Sequence, residues 1–513
     1  MKQDQLSNNK RIAKNTMMLY VRMFLTMGVT LYTSRVVLQV LGASDFGIYN
    51  VVGGIVLMLS FLNSSLNIAT QRYMNVALGK GDTKALNRIF SMSFFSFGIL
   101  AIIGIILAES FGLWFLYNKL SIPIERFEAA NWVFQFSILT FVVNLLTVPY
   151  QATIIAHERM SAYAYLSIGE VLLKLSVVFV LQIILIDKLI LYAILMFSVT
   201  GLISLVYAVY CMFHFSETRL RFIWDNRLIK GLFMFSGWML LGTTSQMANV
   251  QGVNMLINIF FGPALNAARA IAMQIYVAIN SFSASFLTAV RPQIVKSYAK
   301  GDIDYTYSLV YGTTKMSYFL LLLLVIPIFY NADFILILWL KKVPEYTLCF
   351  TKLVLIDLLI LSFCNPIAYI SQASGKIKTY QIAISICFLC IVLFTWIAYK
   401  LDYPVYVTFL ISIVLDFIGI FTRLWVLRNS VNFPMKTYLI RVLFPVTVVS
   451  IVSFAIGYIP NLWSANIGWF SFVFSIVWSG IFTLLFIWIL GLSHREKEII
   501  IQGFKKMFLK DRK

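Results

Sequence analysis

Five basic residues, Arg22, Arg35, Lys174, Arg269 and Lys315, stand inside long apolar stretches of this 513-residue chain. A charge there is stable only beside a partner, at a headgroup layer or in a wet cavity. Arg22 and Arg35 are 13 positions apart, about 220° around a helix, so both cannot face one cavity squarely. Arg35 is near the outer end of its stretch, within snorkelling reach. Arg269 sits among small neighbours in Asn266-Ala267-Ala268-Arg269-Ala270, which leaves room for close packing or for a large ligand. Lys174 follows Glu170 at i, i+4, the order that favours an intrahelical ion pair. Lys315 has no acid one turn away, and Arg291 adds a further cation toward the inner end of its stretch. Guanidinium groups grip phosphate oxygens in pairs, so a passage lined by these side chains suits an anionic substrate such as a lipid-linked phosphate or pyrophosphate.

The acids in the stretches are Glu170, Asp357 and Asp416. They are candidates for coupling to H+ or Na+, or for pairing with a cavity cation. Amides concentrate on two segments: Asn63, Asn67 and Gln71, followed by Arg72, in one, and Gln274 and Asn280 in the other. Such amides serve as hydrogen-bond glue between helices or as the lining of a cleft.

The elements that must position these residues are helices crossing a bilayer. The chain is 60% hydrophobic and only 12% charged, with a mean hydropathy of +0.86, where a soluble domain carries about a quarter charged residues. About fourteen apolar stretches of helix-spanning length follow one another: 16–40, 46–70, 89–108, 130–156, 163–186, 189–213, 229–260, 267–290, 308–330, 351–372, 379–399, 405–427, 437–459 and 466–491. An all-α integral membrane protein is expected. Most of the 41 Lys and Arg fall in the two tails and the even-numbered connections, Arg423 among them; only Lys119, Arg126, Lys188, Lys341, Lys342, Lys352 and Lys400 fall on the other face. That bias places both termini in the cytoplasm, and it accounts for the net charge of +20 without nucleic acid.

The first helix is expected to be retained, because its apolar segment is too long for a signal core. Cys387-x-x-Cys390 lies inside a span and reads as packing rather than redox chemistry. The longest connections, 109–129 and 214–228, are too short for a catalytic domain, and the histidines, His157, His214 and His494, are scattered. ATP hydrolysis, metal chemistry and enzymatic function are not expected, and no cofactor is called for.

The chain repeats itself. At an offset of 220, Leu41-Gly42 maps to Phe261-Gly262 and Lys80-Gly81-Asp82 to Lys300-Gly301-Asp302; at 217, Pro149 maps to Pro366 and Tyr163 to Tyr380. An even spacing of six helices makes this a parallel repeat about an axis along the membrane normal. The expected organisation is an N-terminal lobe at 1–228, a C-terminal lobe at 229–430, and helices 13 and 14 with a basic amphipathic tail at 431–513.

Lys14-Asn15-Thr16, Leu41-Gly42-x-x-x-Phe46-Gly47-Ile48-Tyr49, the polar second helix ending at Arg72-Tyr73 before Lys80-Gly81-Asp82, and Gly262-Pro263-x-x-Asn266-Ala267-Ala268-Arg269 resemble the polysaccharide-export branch of the multidrug/oligosaccharidyl-lipid/polysaccharide exporter superfamily. The resemblance implies an inner-membrane flippase that moves undecaprenyl-pyrophosphate-linked sugar units, for O-antigen or capsule, by alternating access. Its implied partners are the lipid-linked oligosaccharide, membrane lipids and other polysaccharide-export proteins. It is also similar to the peptidoglycan lipid flippases, whose cavity arginines lie on helices one, two and eight; Arg22 or Arg35 and Arg269 match helices one and eight, while helix two has only Arg72 at its end. The alternatives are a cation-coupled multidrug antiporter of the same superfamily, which should carry functional acids, and a membrane polysaccharide polymerase or ligase, which should carry a long catalytic loop.

Overall fold

The computed structural model describes residues 2–57, 61–119, 122–184, 187–221, 225–340, 343–460, 469–493 and 496–498. Of the basic amphipathic tail, 499–513 is outside the described residues, as is the side chain of Arg35. The chain is helical nearly throughout and divides into two compact units, Lys14–Thr243 and Met1–Ala13 with Thr244–Lys513. The divisions fall inside continuous helices, between Ala13 and Lys14 and between Thr243 and Thr244.

In the unit Lys14–Thr243, α1 (Lys2–Leu57) is interrupted at Gly42, where φ 78° and ψ 168° place the backbone in a region only glycine enters freely. Two spans therefore meet where 16–40 and 46–70 were expected. The next helix, α2 (Phe61–Lys80), ends ten residues past the expected end of the second span, because Asn67, Gln71 and Arg72 are helical despite their polarity. Gly81 closes it with a positive φ, and the Asp82 carboxylate caps α3 (Thr83–Leu107) by accepting from the Ala85 N–H at 2.9 Å. A wide turn at Ala108–Gly112 leads on to α4 (Leu113–Lys119). The central helix is α5 (Phe127–Ala156), which buries Val133, Phe134, Leu145 and Ile154 against its neighbours. Helices α6 (Met160–Ile183) and α7 (Lys188–His214) complete the bundle.

Three connections of this unit share one guanidinium. Arg126, just before α5, donates from Nε to Asp45 Oδ1 at 2.8 Å, a second time to the other Asp45 oxygen, and again to Asp187, the N-cap of α7. Burial alone would raise the Asp187 carboxyl, but Arg126 and the N–H groups of Ile190 and Leu189 outweigh it and hold the acid below the ordinary carboxylate range. Bonding to Asp45 in turn raises the already high pKa of Arg126.

The second division between the units lies in α8 (Asn226–Phe261). Gly262, at φ 85° and ψ 178°, then reproduces the break at Gly42, and α9 (Pro263–Ala299) starts with Pro263 in its first turn. Gly301 repeats the positive φ of Gly81, and Asp302 caps α10 (Ile303–Tyr330) through the Tyr305 N–H, as Asp82 does through Ala85. A short α11 (Ala332–Leu340) precedes α12 (Thr347–Ser362) and α13 (Cys364–Ser374), one passage broken just before Pro366. Gly375 ends it at φ 79°, 217 positions after the positive-φ Glu158. Helices α14 (Lys378–Lys400) and α15 (Val407–Val431) close the repeated part. After α16 (Met435–Tyr438) come α17 (Phe444–Gly457) and α18 (Trp469–Phe486).

Among the described residues, eleven helices are long and apolar enough to cross a membrane. The remaining expected spans fall on α1 with α2 and on α8, which carries Gln246, Asn249, Gln251, Asn254 and Asn258. The protein is a multi-pass membrane protein.

The polar cavity of the second unit

The residue types singled out in the sequence converge in the unit Thr244–Lys513. A cavity of about 130 Å³ is lined by Gln246 and Asn249 of α8, Arg269, Met273 and Tyr276 of α9, Asp357 of α12, Phe388 of α14, and Thr408, Ser412 and Asp416 of α15. That volume holds several waters or a hydrated cation. Each side chain reaches it for a local reason. Arg269 lies less than two turns after the Gly262 break, so the swing of the chain at that glycine aims it. Asp357 and Asp416 lie on the buried faces of two packed helices.

Arg269 is 6% exposed. Its Nη1 donates to Asn254 Oδ1 and to the Val250 carbonyl at 3.4 Å, both on α8, while Nε has no acceptor among the described residues. None of the described ion pairs involves it. Asp357 and Asp416 approach within hydrogen-bonding reach of each other, and Oδ1 of each has no donor. Two buried carboxyl groups in contact cannot both stay charged unless they share a proton or hold a cation. The Asn249 Oδ1 atom is likewise buried without a donor. The cavity thus offers a guanidinium with spare donor capacity and a set of oxygens with spare acceptor capacity.

The other sequence-derived candidates lie elsewhere. Arg22 of α1 donates to Ser167 Oγ at 3.5 Å and sits over the Tyr163 ring at 4.9 Å, both on α6. One turn further along α6, Lys174 donates to Glu170 at 2.6 Å, the intrahelical pair its spacing indicated. Asn67 accepts from Gln71, and Asn63 Oδ1 is buried without a donor. Gln274 is exposed and Asn280 half-buried, and neither lines the cavity. Arg291 lies over the Tyr369 ring of α13 at 5.5 Å. Lys315 is 4% exposed, and its ammonium donates to Glu496 and to the Gly491 carbonyl at 3.2 Å. Its partner comes from beyond the last span, out of reach of any local spacing rule.

Sequence reasoning passed over Gln246, Asn249 and Arg423. Arg423, counted there with a cytoplasmic connection, is 4% exposed inside α15, which runs on to Val431. The signal that marks it is its register: Asp416 and Arg423 are seven apart and share a helix face.

The fold has solved counterparts. An outward-facing multidrug-resistance MATE transporter of the MOP superfamily superposes with a TM-score of 0.70 at 14% identity, covering 84% of this chain and 98% of that one. A single-site mutant of the Vibrio cholerae MATE transporter VcmN gives 0.65 at 16% identity, covering 83% and 98%. This chain has the MATE fold. A MOP-superfamily transporter from Pyrococcus furiosus, described as having a binding pocket of reverse polarity, shares that fold with a TM-score of 0.69 at 13% identity, covering 83% and 96%. No family profile and no curated protein matches the sequence. The MATE neighbours span almost their whole length on this chain and leave about a sixth of it uncovered, room for helices beyond the repeated core.

Proposed function

We propose that this protein is a transporter, not an enzyme, that flips undecaprenyl-pyrophosphate-linked oligosaccharide units across the bacterial inner membrane for surface-polysaccharide assembly. Arg269 carries the reading: a buried guanidinium facing a polar cavity, with no carboxylate ion pair and an unused N–H among the described residues, is built to take an anionic oxygen. Arg22 and Arg291, each on an aromatic ring rather than on an acid, extend the cationic character. Arg35, Lys174 and Lys315 complete the proposed basic set, with Asn63, Asn67, Gln274 and Asn280 accommodating the sugars. Both termini are cytoplasmic in this reading, and an H+ or Na+ gradient drives alternating access through Asp357 and Asp416, with Glu170 as a further coupling acid. Other polysaccharide-export proteins would supply and receive the cargo.

The acid pair also favours a second reading, a cation-coupled multidrug antiporter, because the same carboxyl groups can exchange a cation for a positively charged drug. Reconstitution separates the two. In proteoliposomes carrying a fluorescent undecaprenyl-pyrophosphate oligosaccharide, the wild type should move the probe between leaflets under an imposed gradient. Arg269→Ala should slow it on the order of 10- to 100-fold, the range of one charged hydrogen bond. Export of cationic dyes with no lipid transfer would establish the antiporter instead.

A further inference from the structure

The acid pair has an occupant of its own within reach on α15. Asp416, Gly419 and Arg423 are at i, i+3 and i+7 and share one face of that helix. A Cβ added at Gly419 would stand 2.7 Å from Arg423 Nη1, so the guanidinium folds back against the glycine toward Asp416. Among the described residues that Nη1 is buried with no acceptor, and Asp416 Oδ1 is buried with no donor. The other groups facing the guanidinium are the thiols of Cys364 and Cys387 and the phenol of Tyr380; Tyr276 and Asp357 face the acid. Arg423 does not line the cavity, which reaches Asp416 and stops there. A cation entering from the cavity and the guanidinium therefore compete for the same carboxyl group.

We infer that Arg423 is a tethered counter-ion for Asp416: it pairs with the carboxylate when the driving cation has left, and it withdraws over Gly419 when that cation binds. This rests on the coupling role assigned to Asp416 above. Glycine at 419 leaves the guanidinium its resting place, since a methyl group there would collide with it. Arg423 acts through Asp416 and is a positioning residue. An intramembrane acid left alone after release would be a buried, uncompensated charge, and the tether removes that obstacle to the return step.

The test uses the purified full chain in detergent. Tryptophan fluorescence is titrated with Na+ at fixed pH and with acid at fixed Na+, and the response of Asp416→Asn is subtracted. Arg423→Gln should lower the half-saturating concentration of the responding cation about tenfold, the scale of removing one neighbouring charge. Arg423→Lys should stay close to wild type. Gly419→Ala should instead weaken binding, because the guanidinium loses the place to which it withdraws, and its combination with Arg423→Gln should match Arg423→Gln alone. Unchanged or weaker cation binding in Arg423→Gln overturns the counter-ion role; should that variant not fold, unchanged or tighter cation binding in Gly419→Ala overturns it. A wild type indifferent to both cations removes the coupling reading itself, a failure distinct from the first.

Discussion

Arg269 and the Asp357/Asp416 pair line the same cavity without forming an ion pair with each other. A buried guanidinium and buried carboxyl groups held apart are costly, because each forgoes the Coulomb energy that would offset its desolvation. Such an arrangement persists where partners arrive and leave during a cycle. Asp416→Asn keeps the shape of the acid and removes its charge, so transport in proteoliposomes should lose its response to an imposed cation gradient. Downhill exchange without a gradient should stay within a few-fold of wild type, since no cargo-holding group is touched. Loss of both activities together would place Asp416 in cargo binding. Arg269, Asp357 and Asp416 were each legible in the sequence as charges inside apolar stretches. Their convergence was not, because three different helices contribute them and packing register is absent from linear spacing.

At the scale of elements, the glycine breaks were the most legible features, and the reason is local. The conformation at Gly42 and Gly262 depends on the absence of a Cβ, so the glycines of the 220-residue repeat mark the same backbone turn in both units. The capping acids Asp82 and Asp302 are legible for the same reason: each bonds an N–H three residues on. Helix ends were less legible where the inner turns are polar, as in α2, which runs ten residues past its expected end. Gly262→Ala forces a side chain into a glycine-only region and should cost about 1–3 kcal/mol. It should also turn α9 and so displace Arg269. Thermal melting in detergent should show a lowered midpoint for Gly262→Ala, with Gly42→Ala lowered similarly. No additional steric clash is expected, since a Cβ at either glycine would meet nothing within 4 Å. A wild-type midpoint would show that the break at 262 is not held by backbone conformation.

The whole molecule differs from a twelve-helix core in α17, α18 and the segment behind them, and these are fastened to α10 along its length. Tyr318 and Ser450 share a hydrogen bond at 2.8 Å, Asn331 donates to Ser475 at 3.0 Å, and Gly491 lets the chain close on Phe319. At one end Lys315 meets Glu496, whose carboxylate also accepts from the N–H and hydroxyl of Ser493, both at 2.7 Å. No sequence rule could pair residues 181 positions apart, so Lys315 was open to a cargo role that this pairing now competes with. The consequence is testable. Glu496→Gln keeps an oxygen acceptor but removes the carboxylate charge, so the buried ammonium is left with neutral acceptors only, the new amide and the Gly491 carbonyl. The cost should be on the order of 2 kcal/mol, below the roughly 3–5 kcal/mol of a fully buried pair because the Glu496 side chain is 23% exposed. Adding Lys315→Met removes the orphaned charge and should restore the melting midpoint. Transport of the double variant then decides what the lysine does: normal leaflet transfer assigns Lys315 to fastening the last helices, and lost transfer in a protein of restored stability returns it to the cargo path.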